Sequence, residues 1–335
     1  MNTIVDKSKL YDVAKCLTAI LVVVAHATRM YTPVGAIPVS NQSAFLNYLT
    51  NYIYAFHMPL FMMLSGCVYG HCIEQNKYSN ILPFVRNKAK KLLIPYLFFG
   101  IIYVAPVMCI LDVTESGYDN YVINGILLSY NSRHLWYILA LFWIFLIFML
   151  LRPLFLKGTR ELVIAGCISL LLFVISRIVS CVFQIQAACN YQFFFFLGVI
   201  FNRFYNKIDH FFSKYYAVGF LLPIVLMTMF IFNPNSLLAY VYKVIGTGMI
   251  MIFCWSLLHW FPKIINNPIF CCIKKNSFGI YLFHPMIIYV LYHLLGQSDI
   301  DPILLSTIIS IVATILSVYG TKIVRLLHLQ WVIGE

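Results

Sequence analysis

The sequence predicts an all-α fold: a polytopic transmembrane helical bundle of about ten spans with both termini cytoplasmic. Three observations predict it. Hydrophobic residues make up 62% of the 335-residue chain and charged residues only 10%, against about 25% in a soluble domain. Apolar segments of about 20 residues, the length that crosses a bilayer, recur from one end to the other. Lys and Arg collect in alternate loops. With the N-terminus inside, the inner loops hold Lys7, Lys9, Arg86, Lys88, Lys90, Lys91, Arg152, Lys157, Lys274, Lys275 and others, while the outer loops hold only Arg133. The outer loops instead carry Asp112, Glu115, Asp119, Asp299 and Asp301. The net charge of +12 therefore reports topology, not a nucleic-acid partner. No hydrophilic stretch is long enough for a second domain, so residues 1–335 read as one integral membrane domain.

The first expected span, near 13–32, carries Asp12, Lys15, His26 and Arg29. Eleven residues at about 100° each return a helix to within roughly 20° of its starting direction. Lys15 and His26 thus share one face, about 16 Å apart along the axis, with Asp12 and Arg29 extending the seam. This segment is interrupted by charge and lacks a cleavage site, so it reads as a retained helix rather than a signal peptide. The second span, near 50–70, runs inward through His57 and Pro59 to Ser65-Gly66, where a close helix contact is expected. The third, near 92–111, follows the basic run Arg86–Lys91. The fourth, near 134–152, starts at Arg133-His134 and an aromatic lip, Trp136-Tyr137.

The fifth span, near 161–181, places Arg177 in its outer part. The sixth, near 187–203, carries the aromatic run Phe193–Phe196 and a second contact glycine, Gly198. The seventh and eighth lie near 216–232 and 238–258, with Lys243 about a turn below the outer surface. The ninth, near 277–295, contains His284-Pro285, and the tenth lies near 303–321.

Ionisable groups at membrane depth are costly and mark function. Bland readings stand beside the functional ones. Arg177 and Lys243 can snorkel to the surface. The Arg86–Lys91 run can be ordinary positive-inside charge. His57 and His284, each next to or near a proline, can satisfy a carbonyl freed by a helix break. Most of the ten cysteines lie in apolar spans, and Cys271-Cys272 has no zinc spacing, so no metal site is expected.

In chain order, these motifs resemble the membrane acyltransferase family called acyltransferase 3. The resemblance runs through Asp12…Lys15…His26, Phe56-His-Met-Pro through Gly66, Lys88-Ala-Lys-Lys91 through Tyr96, Leu135-Trp136-Tyr137, Phe194–Gly198 and Ser277 through Pro285. The family pattern of a basic residue, ten residues, then His falls on Lys15 and His26. Its Arg-x-x-Arg pattern falls on Lys88 and Lys91, both lysine here. Lysine acts on phosphate as a point charge, whereas arginine grips it with two parallel bonds.

The resemblance implies transfer of an acetyl group from cytoplasmic acetyl-CoA to a sugar hydroxyl of a cell-surface polysaccharide or its lipid-linked precursor. The fucose O-acetylase branch is one expectation, and a bacterial plasma (inner) membrane another. Lys15, Lys88 and Lys91 would hold the donor phosphates. Arg133, His134, Trp136 and Arg177 would face the acceptor. His26 would be the general base or an acetyl carrier, with Arg29 stabilising the oxyanion and His57 beside it. Asp12 is about 21 Å from His26 along the helix, so whatever orients His26 must come from another helix. The rival class is a proton-coupled transporter of a small polar or anionic solute, with the buried His and Arg as its relay.

Overall fold

The computed structural model describes residues 6–114, 117–215, 217–231 and 236–335; Glu115 and the ends of the expected 216–232 span lie outside them. Among the described residues all regular structure is helical. The principal helices are α1 (Lys7–Thr28), α2 (Ala44–Tyr54), α3 (His57–Glu74), α4 (Ile81–Ile110), α5 (Trp136–Phe155), α6 (Thr159–Ile175) and α7 (Ile185–Arg203). They continue with α8 (Tyr205–Phe212), α9 (Leu222–Ile231), α10 (Ser236–Trp260), α11 (Pro268–Leu295) and α12 (Pro302–Leu326).

Seven helical stretches are long and apolar enough to cross a membrane: Lys7–Tyr31, Ala44–Glu74, Ile81–Ile110, Arg133–Phe155, Tyr240–Trp260, Pro268–Leu295 and Pro302–Leu326. The other three expected spans correspond to helices that fall outside that set. α6 has 17 residues, α7 has 19 with asparagine and glutamine along it, and α9 has 10.

The span expected near 50–70 starts earlier and is broken. It begins at Ala44 with Ser43 as N-cap and is interrupted between Tyr54 and His57. Proline at the third position of α3 cannot supply the N–H that a continuous helix needs, and His57 Nδ1 donates to the Ile53 carbonyl at 2.9 Å. The span expected near 92–111 also starts early, at Ile81, so Lys88 and Lys91 lie inside α4 rather than before it. Two π-helical stretches, Ala89–Leu93 and Phe99–Val104, precede and follow Pro95; the wider turn accommodates a residue without an N–H.

The expected glycine contacts form one crossing. A Cβ on Gly66 would run into the Phe195 carbonyl, and one on Gly198 into the Met63 carbonyl. α3 and α7 therefore touch backbone to backbone, the approach only glycine permits. At the far end of the chain, Arg325 binds Asn276 Oδ1 at 2.6 Å and the Lys275 carbonyl at 2.9 Å, and pairs with Glu335. This ties a short strap, Gln330–Ile333, across the end of the bundle that also holds Lys91. Arg325 holds the Glu335 carboxyl below its ordinary range through that hydrogen bond.

Candidate active site

The polar seam of α1 opens into two cavities. The one at the lysine-rich end has about 480 Å³ and is lined by Asp12, Lys15, Lys88, Lys91, Lys274 and Lys275, among others. Asp12 is engaged by Lys274 at 2.6 Å. Lys88 sits 3.6 Å from the centre of the Phe145 ring and within 5.5 Å of those of Tyr78 and Phe84. Its stem is thus fixed by aromatic faces while its charge fronts the cavity. Glu335 closes one side of the same cavity.

The second cavity, toward the other end of α1, has about 580 Å³ and is lined by His26, Arg29, His57, Arg133, His134 and Trp136 among others. Arg29 lies 5.4 Å over the Tyr54 ring, which is 4.7 Å from the His57 ring. Tyr281 lines both cavities, and its hydroxyl donates to the His134 carbonyl. Seen along α1, Asp12 and Lys15 face one chamber and His26 and Arg29 the other.

The hydrogen bonds assign the imidazole protons. His284 is fully buried, and its Nδ1 lies 2.7 Å from the Ile280 carbonyl. A carbonyl only accepts, so His284 Nδ1 carries a proton. In the neutral ring Nε2 is then an acceptor, and it lies 3.2 Å from His26 Nδ1. His26 Nδ1 donates, which leaves the His26 Nε2 lone pair uncommitted. His134 follows the same logic. Its Nε2 donates to the Leu282 carbonyl at 3.2 Å, so Nδ1 is a buried acceptor, and it has no partner. Arg133 Nε is a buried donor without a partner on the same cavity wall. Arg133 also holds a positive φ of 50°, a conformation that costs a non-glycine residue about 1–3 kcal/mol. Among the described residues no group of His, Cys, Asp and Glu is arranged to hold a metal ion.

The structure thus brings Lys15, Lys88 and Lys91 to one cavity, and His26, Arg29, His57, Arg133, His134 and Trp136 to the other. Arg177 lies in neither, but lines a neighbouring chamber. His57 bonds the Ile53 carbonyl at the break between α2 and α3, a carbonyl that also accepts from the Phe56 N–H. α11 runs unbroken through Pro285, with His284 bonded to the backbone of the preceding turn. His284 thereby connects Ile280 to His26. Sequence reasoning missed this role, though the His-Pro pair in an apolar span was its visible signal. Tyr54 and Tyr281 carried no comparable signal, being two among 23 tyrosines.

The family model of the acyltransferase domain called acyltransferase 3 matches residues 9–322. No curated protein and no solved structure matches the chain. The matched region starts in the first turn of α1 and ends in α12, and so takes in the histidine cavity, the His26–His284 pair and the lysine cavity apart from its Ile333–Glu335 edge. The chain belongs to the acyltransferase 3 family of membrane acyltransferases.

Proposed function

We propose that the protein carries an acetyl group from cytoplasmic acetyl-CoA to a sugar hydroxyl of a cell-surface polysaccharide or its lipid-linked precursor, in a bacterial plasma membrane. One observation carries the reading: α1 and Tyr281 are shared by a lysine-lined cavity and a histidine-lined cavity. A donor with phosphates suits the first, where Lys15, Lys88 and Lys91 supply charge. The thin pantetheine arm would pass beside Tyr281 and present its thioester near His26.

A sugar hydroxyl is a weak nucleophile and needs a positioned base. His26 Nε2 takes the hydroxyl proton as the oxygen attacks the thioester carbonyl. The new C–O bond forms, the C–S bond breaks, and the proton passes from His26 to the departing sulfur. His284 accepts from His26 Nδ1 throughout, holding the tautomer and stabilising the imidazolium that forms. Arg29, one turn on, neutralises the developing oxyanion. The free acceptor on His134 and the free donor on Arg133 suit further sugar hydroxyls. The same Nε2 lone pair serves transfer through an acetyl-His26 intermediate. Family membership favours this chemistry over solute transport.

Purified protein given acetyl-CoA labelled in the acetyl group should move the label onto a glycan acceptor. His26→Gln should still bind donor but lose transfer by roughly 10²-fold or more. Glycan from cells lacking the gene should lose acetyl mass. Label movement with His26→Gln intact, or unchanged glycan mass, would overturn the reading.

A further inference from the structure

Beside the histidine cavity lies a third chamber of about 550 Å³. It shares Trp136, Tyr191 and Lys243 with that cavity, so the two lie side by side. The shared aromatic wall is a Trp136–Tyr191 pair with ring centres 5.1 Å apart. Beyond it stand Arg177, Gln184, Gln186 and Asn190. Neither Arg177 nor Lys243 forms a salt bridge among the described residues. Arg177 has only the Phe173 ring beneath it, at 5.7 Å. Taken together the two chambers are lined by Arg29, Arg133, Arg177 and Lys243, with no aspartate or glutamate among the described lining residues.

Simple snorkelling accounts for one cation at a membrane surface. It does not account for four around two adjoining chambers with no counter-charge among the described lining residues. Like charges gathered in a low-dielectric cleft repel each other and focus a positive field on its interior. A neutral sugar would leave that field unanswered. An anion would neutralise it, with a guanidinium for paired bonds and an ammonium as a point charge.

We propose that the chamber around Arg177 and Lys243 is an anion subsite that holds a negatively charged group of the acceptor while its neighbouring hydroxyl faces His26. This rests on the histidine cavity being the acceptor site. The anion has two chemical sources, a carboxylate of an acidic sugar or the diphosphate that joins a lipid-linked sugar to its polyprenyl carrier.

The test is equilibrium binding to the full chain in nanodiscs of zwitterionic lipid. The probes are a neutral trisaccharide, the same trisaccharide ending in a uronic acid, and the neutral sugar linked to a polyprenyl diphosphate. Wild type should bind one or both anionic probes about tenfold tighter than the neutral one, as expected for one charged hydrogen-bonded contact. Preference for the free uronate probe assigns the anion to the sugar, and preference confined to the lipid-linked probe assigns it to the carrier. Arg177→Gln with Lys243→Gln should reduce the ratio to about one. Arg177→Lys with Lys243→Arg, which keeps both charges, should retain it. Should the double glutamine variant fail to fold, high salt on wild type should still collapse the ratio. Equal binding of all three probes, a ratio insensitive to salt, or a ratio that survives the double substitution overturns the proposal. Because the readout is binding, it stands apart from acetyl transfer. Transfer to sugars without anion preference defeats this proposal alone, and anion preference without any transfer defeats only the acetyltransferase reading.

Discussion

His284 Nε2 lies 3.2 Å from His26 Nδ1, although 258 residues separate them. With its other nitrogen on the Ile280 carbonyl, His284 can only accept from His26. The pair therefore makes a one-way chain of hydrogen bonds that ends on the His26 Nε2 lone pair, at the wall of the larger cavity.

This chain makes His284 a positioning residue. His284→Phe keeps a ring of similar size but removes the acceptor, and should lower acetyl transfer by about 10- to 100-fold, the usual effect of removing a group that orients a catalytic ligand. His284→Gln, whose amide oxygen can accept from His26, should lose less. Full activity in the phenylalanine variant would show that His26 needs no orienting partner.

His26→Gln keeps hydrogen-bonding capacity without a base near neutral pH. It should fold, bind acetyl-CoA and lose transfer by roughly 10²-fold or more. In wild type the working form is the deprotonated ring, so the rate should fall on acidification. That dependence should be absent from the variant. A glutamine protein that acetylates at near wild-type rate removes His26 from the mechanism.

Lys88→Ala with Lys91→Ala should weaken acetyl-CoA binding by about tenfold or more and flatten its dependence on salt. Arginine at both positions should bind at least as well as lysine, because a guanidinium also stacks on the Tyr78, Phe84 and Phe145 rings. Titration of labelled acetyl-CoA at several salt concentrations separates the outcomes. Unchanged binding in the double alanine variant would reduce both lysines to markers of topology.

Glu335 fronts the same lysine cavity, and Arg325 keeps its carboxyl below the ordinary range, so it is ionised at neutral pH. The pairing contributes above the ordinary carboxylate pKa and is lost as pH falls through the lowered one. A carboxylate there repels phosphate. Glu335→Gln should tighten acetyl-CoA binding by roughly two- to fivefold. Weaker binding in that variant would mean that Glu335 orders the cavity instead.

Gly198→Ala places a Cβ against the Met63 carbonyl, whereas Gly248 has no atom within 4 Å of an added Cβ. The first substitution should cost about 1–3 kcal/mol through forced separation of α3 and α7, and the second should be neutral or slightly stabilising. Thermal unfolding in detergent measures both. Equal melting temperatures would contradict the close crossing.

Fusions at Gln42, Asn120 and Gln297 should report the outer side, and fusions at Asn76, Lys157 and Asn206 the inner side. The segment between Lys157 and Gln297 decides whether α6, α7 and α9 complete a set of about ten spans. Between an inner Lys157 and an outer Gln297 the number of crossings must be odd; an even number there would put the two cavities' donor and acceptor on the wrong faces.

Helical class and the Lys15–His26 seam were legible because both depend on local quantities: residue hydropathy, and an 11-residue spacing on one helix. The contact glycines were legible for a related reason, since a glycine in a span already limits what can approach it. Helix ends were less so. α4 begins near Ile81, and Lys88 within it reaches a ring of a distant segment, Phe145 of α5. The sequence by itself determined a membrane bundle with charge on one face of α1, and an order of motifs that resembles one acyltransferase family. Only the tertiary structure decided that α11 brings His284 to His26, that Tyr281 borders both cavities, and that Arg177 meets Lys243 in a chamber beside the histidine cavity. Those relationships span dozens to hundreds of residues, and they arise from how helices pack rather than from any periodicity within one of them.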